Sequence, residues 1–170
     1  MVTGGAHESE IDATGKRVAL VVAQFNQSIT SELAAGAREA LRAAGVVESD
    51  IEEHPVAGAF ELAPACRQVV GLRSNVDAIV ALGAIIRGET PHFDIIAEAA
   101  AQGLQRLAVE LNIPLGFGVL TTDTREQAEQ RASRHGGDKG GEAVRAVLSQ
   151  LALYTRLAET EPAVRGFRTS

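Results

Sequence analysis

The sequence predicts an α/β fold: a three-layer α/β/α sandwich around a four-stranded parallel sheet. Two observations carry that prediction. Four short apolar runs recur along the chain, and each is followed by a stretch with helical spacing of its apolar residues. The 170 residues suffice for one domain, and 45% hydrophobic against 22% charged residues favours a packed core over a disordered or fibrous chain. Strands alternating with helices make right-handed βαβ units, which give a parallel sheet covered on both faces.

The first run, Arg17 to Phe25, is valine-rich and short, as a buried strand should be. Asn26 to Thr30 breaks it. Ile29, Leu33, Ala37, Ala40, Leu41 and Ala44 then fall on one helix face, and Gly45 stands where a helix end favours a left-handed residue. The second run, Ile51 to Val56, is more polar and contains Pro55, so it reads as an edge strand. A helix is expected from about Phe60 to Val70, with Leu62, Cys66, Val69 and Val70 as its stripe. Pro64 must lie in its first turn, where no intrahelical donor is lost.

The third run, Val76 to Ile86, is the most apolar and should be a central strand. A polar loop, Arg87 to Pro91, leads into a long helix ending near Asn112. The fourth run, Leu115 to Leu120, follows Pro114, and Thr124 with Gln127 fits a capping box. A polar helix over Arg125 to Arg134 is interrupted by Gly136–Gly137 and Gly140–Gly141. A last helix is expected from about Glu142 to Leu157. Val144, Val147, Leu148 and Leu151 mark one side of it; Ala146, Leu153 and Leu157 mark another. Two readings stay open for that helix: packing against a second subunit, or one wide core stripe.

Residues 1–14 are expected to be a flexible segment, 15–157 the domain, and 158–170 a frayed tail. The net charge of −6 argues against a nucleic-acid partner. Cys66 is the single cysteine, which excludes an intrachain disulfide or a thiolate metal cluster and suits a reducing compartment. No apolar run approaches the ~20 residues that span a bilayer. A cytoplasmic protein without a membrane partner is the expectation.

In open parallel sheets, ligands bind beyond the carboxyl ends of the strands. Four loops lie there: Phe25–Ser28, Ala57–Glu61, Arg87–Asp94 and Thr121–Thr124. The third is richest. It leads into a helix N-terminus, where free backbone N–H groups and the Thr90 hydroxyl can hold an anion. His92 is the only histidine in these loops and is a candidate proton carrier, with Asp94 near enough in sequence to orient it. The plainer alternative makes Thr90 and Asp94 helix caps and His92 a half-exposed helix residue. Glu61 either accepts hydrogen bonds from a polyol or amine, or only complements a helix dipole. Phe25 offers a ring for stacking, or merely ends a strand; Phe60 is a loop ring or a core residue. Phe117 lies early in the fourth strand. Arg131 and Lys139 are candidate anion partners, with a solvated charge the plainer reading of Arg131.

Several chemistries lose support. No phosphate-binding P-loop, strand-linked dinucleotide fingerprint or serine nucleophile elbow is present. His7, His54, His92 and His135 lack zinc-ligand spacing, so no metal site is assigned.

Together these stretches resemble the lumazine synthase family, collinearly from about Gly15 to Tyr154. The carrying pieces are Ala23-Gln24-Phe25-Asn26, Gly58-Ala59-Phe60-Glu61-Leu62, the segment from Ala81 to Asp94 that contains Ile86-Arg87-Gly88-Glu89-Thr90-Pro91-His92-Phe93, Gly116 to Thr122, Glu126-Gln127-Ala128, and Asp138-Lys139-Gly140. The resemblance implies condensation of 5-amino-6-(D-ribitylamino)uracil with 3,4-dihydroxy-2-butanone 4-phosphate, in riboflavin biosynthesis. The product is 6,7-dimethyl-8-ribityllumazine, with water and inorganic phosphate released and no metal or organic cofactor used.

The resemblance also implies roles. Phe25 stacks on the pyrimidine ring, and Ala59, Phe60 and Glu61 hold the ribityl chain. Ala84, Ile85 and Ile86 line the pyrimidine pocket, and Phe117 closes it. Glu89, Thr90 and Arg131 bind the phosphate, with Lys139 in support. His92 transfers protons. In the family the site lies between neighbours of a homopentamer, with Phe117 and Arg131 supplied by the adjacent subunit. Some members assemble pentamers into an icosahedral capsid, and riboflavin synthase is a partner of some shells. The turn Ser133 to Asp138 is short and glycine-containing, as in shell formers, but departs from their usual Gly-Thr-Lys-Ala-Gly-Asn.

Read without that resemblance, the same architecture suits a flavodoxin-like FMN carrier. Such a carrier needs a glycine-rich phosphate loop after the first strand, and Gln24 to Ser28 has no glycine. A shell or riboflavin-binding relative without catalysis is a third reading.

Overall fold

In the computed structural model, residues 11–73 and 75–160 are described. His7 and most of the expected terminal segments lie outside them. Strands β1 (Val18–Ala23), β2 (Ile51–Val56), β3 (Ala78–Ile86) and β4 (Leu115–Thr122) alternate with helices α1 (Gln27–Ala43), α2 (Leu62–Leu72) and α3 (His92–Glu110). Helices α4 (Arg125–Ala132) and α5 (Lys139–Glu159) follow. The sheet is parallel throughout, in the order β2-β1-β3-β4.

The sequence patterns follow from this topology. β1 and β3 are central, with every residue buried except Ile86 at the end of β3, hence their unbroken apolar runs. β2 is an edge strand whose burial alternates, which accommodates Glu53 and Pro55. Alternate strand residues point to opposite faces, so each face collects its own core. Val18, Leu20, Val22, Val80 and Leu82 pack with Ile29 and Leu33 of α1, Ala128 of α4, and Val144 and Val147 of α5. Ala19, Val21, Ile79 and Ala81 pack on the other face with Leu62 and Cys66 of α2 and Leu104 and Leu107 of α3. The three-layer expectation holds.

Gly45 closes α1 with φ +90°, the left-handed turn its position required. Pro64 is the third residue of α2, and a 3-10 turn over Ala59–Glu61 precedes that helix. The cap of α4 is half as expected. Thr124 Oγ1 accepts from the Gln127 amide at 3.2 Å, but the Gln127 side chain returns to the Asp123 amide at 3.0 Å instead of that of Thr124.

α5 departs from expectation. It begins at Lys139, so Gly140 and Gly141 belong to its first turn and do not interrupt a helix. Asp138, at φ +41°, caps it by accepting from the Gly141 amide. The glycines serve close packing: a Cβ on Gly140 would lie 2.0 Å from the Leu33 carbonyl oxygen of α1. The wide-stripe reading of α5 fails as well. Val144, Val147 and Leu148 are buried, whereas Ala146, Leu153 and Leu157 are exposed within the chain. Among the described residues no helix is long and apolar enough to cross a membrane.

Candidate active site

The chain passes from β1 to β2 on one side and returns to place β3 on the other side of β1. The switch point therefore lies between β1 and β3, and a crevice is expected beyond their carboxyl ends. A cleft of about 550 Å³ opens there. It is lined by the ends of three strands and the start of α3: Phe25 after β1; Gly58, Ala59, Phe60 and Glu61 after β2; Ala84, Ile85 and Ile86 of β3; then Gly88, Thr90, His92, Phe93 and Ile96. Its size and largely apolar wall suit a small organic ligand.

Each wall has a local cause. Backbone bonds from Gln24 N–H to the Val56 carbonyl (2.8 Å) and from Phe25 N–H to the Ala57 carbonyl (3.0 Å) prolong the β1–β2 pairing past the strand ends. Asn26 then turns the chain at φ 60°, and its side-chain amide donates to the Ala84 carbonyl at 2.9 Å. Phe60 is 59% exposed and so is not a core residue, while Phe25 continues the β1–β2 pairing through its backbone and leaves its ring 72% exposed to the cleft. Two such rings at one crevice are costly in water and suited to stacking. A Cβ on Gly58 would stand 3.3 Å from Glu61 Oε2, so glycine there lets the carboxylate fold over the loop.

The third loop resolves its alternatives. α3 begins at His92 with Pro91 at the cap position and no side-chain cap, so neither Thr90 nor Asp94 caps the helix. Asp94 gives both carboxylate oxygens to Arg87 at 3.3 Å, and the expectation that it orients His92 is set aside. Bonds to Asp123 and then Asp94 raise the Arg87 pKa above its ordinary value. Thr90 and His92 are exposed at the cleft, beside the first-turn N–H groups of α3. Of the histidines among the described residues, only His92 lines it. His54 lies on β2 beside Glu52, at 3.3 Å.

Nine of the expected site residues thus meet in one cleft: Phe25, Ala59, Phe60, Glu61, Ala84, Ile85, Ile86, Thr90 and His92. Glu89, Phe117, Arg131 and Lys139 are not among its lining residues. Phe117 is half exposed on the edge strand β4, against α3. Arg131 donates to the Gln127 carbonyl of its own helix at 3.2 Å, and Lys139 pairs with Glu142. Gly58, Gly88, Phe93 and Ile96 line the cleft without having been singled out for binding. Ile96 is legible in the sequence only through the helical spacing of α3, whereas Phe93, like Phe25 and Phe60, stands in an expected strand-end loop. Among the described residues no group of three or more His, Cys, Asp or Glu is placed to hold a metal.

The family model described as 6,7-dimethyl-8-ribityllumazine synthase matches residues 15–155. The chain belongs to that family. The 6,7-dimethyl-8-ribityllumazine synthase of Kineococcus radiotolerans is 49% identical over 146 residues, covering 85% of this chain and 88% of the relative. That of Chlorobium phaeobacteroides is 45% identical over 147 residues, covering 86% and 94%. That of an Anaeromyxobacter species (strain Fw109-5) is 45% identical over 144 residues, covering 85% and 88%. Membership in the lumazine synthase family displaces the FMN-carrier reading. It also covers both sides of the cleft, because the matched span runs from before β1 into α5.

Proposed function

We infer that the chain catalyses the condensation for which its family is named, joining 5-amino-6-(D-ribitylamino)uracil to 3,4-dihydroxy-2-butanone 4-phosphate to give 6,7-dimethyl-8-ribityllumazine in riboflavin biosynthesis. The observation that carries this reading is the single cleft at the β1/β3 switch point. It holds an aromatic ring, a carboxylate, strand-end backbone, a helix N-terminus and one histidine.

The roles follow from chemistry. Phe25 stacks on the flat pyrimidine, whose edge meets the backbone of Ala84, Ile85 and Ile86. Glu61 accepts from ribityl hydroxyls, and the backbone of Ala59 and Phe60 completes that grip. Thr90, with Glu89 through its N–H, takes the phosphate at the start of α3. The 5-amino group attacks the ketone carbon, a C–N bond forms, and water leaves to give an imine. Loss of a proton and cleavage of the C–O bond to phosphate follow. The enol left behind tautomerises to a ketone, and the second amine attacks that carbonyl and closes the ring with loss of a second water. Protons move at every stage, and His92 is the cleft side chain placed to carry them. Holding both substrates in register supplies the rest, since aligned pairs reach effective molarities of ~10⁵–10⁸ M.

A neighbouring subunit completes the site in this reading. Phe117 on an edge strand and Arg131 with only a local partner are presented outward, and α5 exposes a second apolar face. Supplied by an adjacent copy, Phe117 covers the heterocycle, Arg131 clamps the phosphate, and Lys139 supports it. A pentamer, alone or in an icosahedral capsid, provides such neighbours; riboflavin synthase is the partner of a capsid and the cytoplasm its compartment. The purified protein mixed with both substrates should form the fluorescent lumazine faster than the uncatalysed condensation. Product binding without acceleration would instead favour a shell or ligand-binding protein.

A further inference from the structure

Arg87 is the first residue after β3, and its guanidinium is used on every side. Nε donates to Asp123 Oδ1 at 2.9 Å. Nη1 and Nη2 donate to Asp94 Oδ2 and Oδ1, both at 3.3 Å. Its face lies 4.1 Å from the centre of the Phe93 ring. Its backbone N–H donates to the Thr122 carbonyl at 2.9 Å. One side chain therefore joins the end of β3, the first turn of α3 and the turn after β4.

The loop it closes contains Thr90 and His92. Phe93 also packs against the core under α3, and the Asp94 and Ile95 amides donate to the Pro91 carbonyl, but the residues between Arg87 and Pro91 have few other restraints. A Cβ on Gly88 would meet nothing within 4 Å, Thr90, Pro91 and His92 are exposed, and α3 begins without a side-chain cap. The two carboxylates are themselves exposed, and exposed ion pairs add little to global stability. A planar fork that engages one carboxylate with two nitrogens and stacks on a ring fixes direction, which a point charge does not.

We propose that Arg87 is a positioning residue for the condensation: by clamping Asp94, Phe93 and Asp123 it fixes the loop that presents Thr90 and His92 to the cleft. The proposal rests on the reading of the cleft given above, with His92 as the proton carrier. It predicts an effect on turnover separate from stability and from pyrimidine binding.

The experiment compares wild type, Arg87→Met and Arg87→Lys in the assembled protein. Three readouts are taken: steady-state kinetics with both substrates, the thermal midpoint, and amide hydrogen exchange across residues 88–96. Met keeps the apolar stem and loses the fork; Lys keeps the charge alone. Arg87→Met is expected to lower kcat by roughly 10-fold or more, on the scale by which ~1 Å misplacements act. The pyrimidine KM should stay within about 2-fold. The midpoint should stay within ~2 °C, and exchange should quicken over 88–93. Arg87→Lys should fall between. Unchanged exchange in Arg87→Met overturns the proposal whatever the kinetics. So does an unchanged kcat, or a fall in kcat that accompanies a midpoint loss beyond ~5 °C. Absence of turnover in wild type would overturn the condensation reading; faster exchange over 88–93 would then still support the clamp as the device that orders the loop.

Discussion

The Asn26 side-chain amide reaches across the switch point to the Ala84 carbonyl, 2.9 Å away, while Asn26 itself occupies the left-handed region at φ 60°, ψ 43°. That pair ties the ends of β1 and β3, the two strands between which the cleft opens. Asparagine meets both demands: it tolerates this backbone and carries a donor short enough to reach.

The first prediction separates the two demands. Asn26→Gly keeps the backbone and loses the hydrogen bond, and should cost ~0.5–1.5 kcal/mol. Asn26→Ala loses the bond and adds left-handed strain of about 1 kcal/mol, so it should be the less stable variant. Urea unfolding measures both. Equal stability of Gly and Ala variants would contradict the account of this turn.

A second prediction concerns His92. A single proton-transfer group contributes ~10²–10⁴-fold, and substrate alignment survives its removal. His92→Ala should therefore turn over slowly but above the uncatalysed rate. A folded, assembled variant with no measurable turnover would contradict this division of labour.

Much of this was legible in the chain because parallel sheets demand continuous apolar strands. Val18–Ala23 and Ala78–Ile86 announced themselves that way. Pro55 marked an edge and Gly45 a helix end for equally local reasons. The start of α5 was not legible. Glycines in a first helical turn look like a loop until Leu33 of α1 is seen pressed against Gly140. The Arg87 clamp was hidden because Asp94 and Asp123 lie on different elements, and spacing along a chain says nothing about a charge shared between loops. Arg131 could not be set beside His92 from sequence, and within one chain it does not line the cleft that His92 lines.

The third prediction uses that contact. Gly140→Ala would drive a methyl group into the Leu33 carbonyl, at 2.0 Å before relaxation, and should destabilise by about 1–3 kcal/mol. Gly71→Ala, at an exposed position near the end of α2, meets nothing within 4 Å and should be neutral or stabilising by up to ~1 kcal/mol. Thermal unfolding of the pair isolates packing from helix propensity. A harmless Gly140→Ala would contradict the α1–α5 approach described here.

A fourth prediction concerns Cys66. Burial pushes its thiol up to about 12, so it stays protonated in the fold at ordinary pH. Iodoacetamide at pH 8 should leave the native protein unlabelled and label it fully in denaturant. Mass spectrometry reads both. Because the native thiol holds its proton more tightly than the unfolded one, stability should decline as pH rises past about 9. Rapid native labelling would contradict the buried placement.

A fifth prediction tests the shared site. Oligomers co-assembled from His92→Ala and Arg131→Ala chains should be more active than either variant alone, because some interfaces then carry both native residues. Activity no greater than the mean of the two parents would place Arg131 outside a neighbour's cleft.

The central claim is that this cleft performs the condensation. The most direct measurement follows lumazine fluorescence and orthophosphate release together, with both substrates and the wild-type protein, against the uncatalysed mixture. Acceleration well above background is expected, with one phosphate released per lumazine formed and a reduced rate in His92→Ala. A folded, assembled wild-type protein that releases phosphate and forms lumazine no faster than the uncatalysed mixture would contradict it.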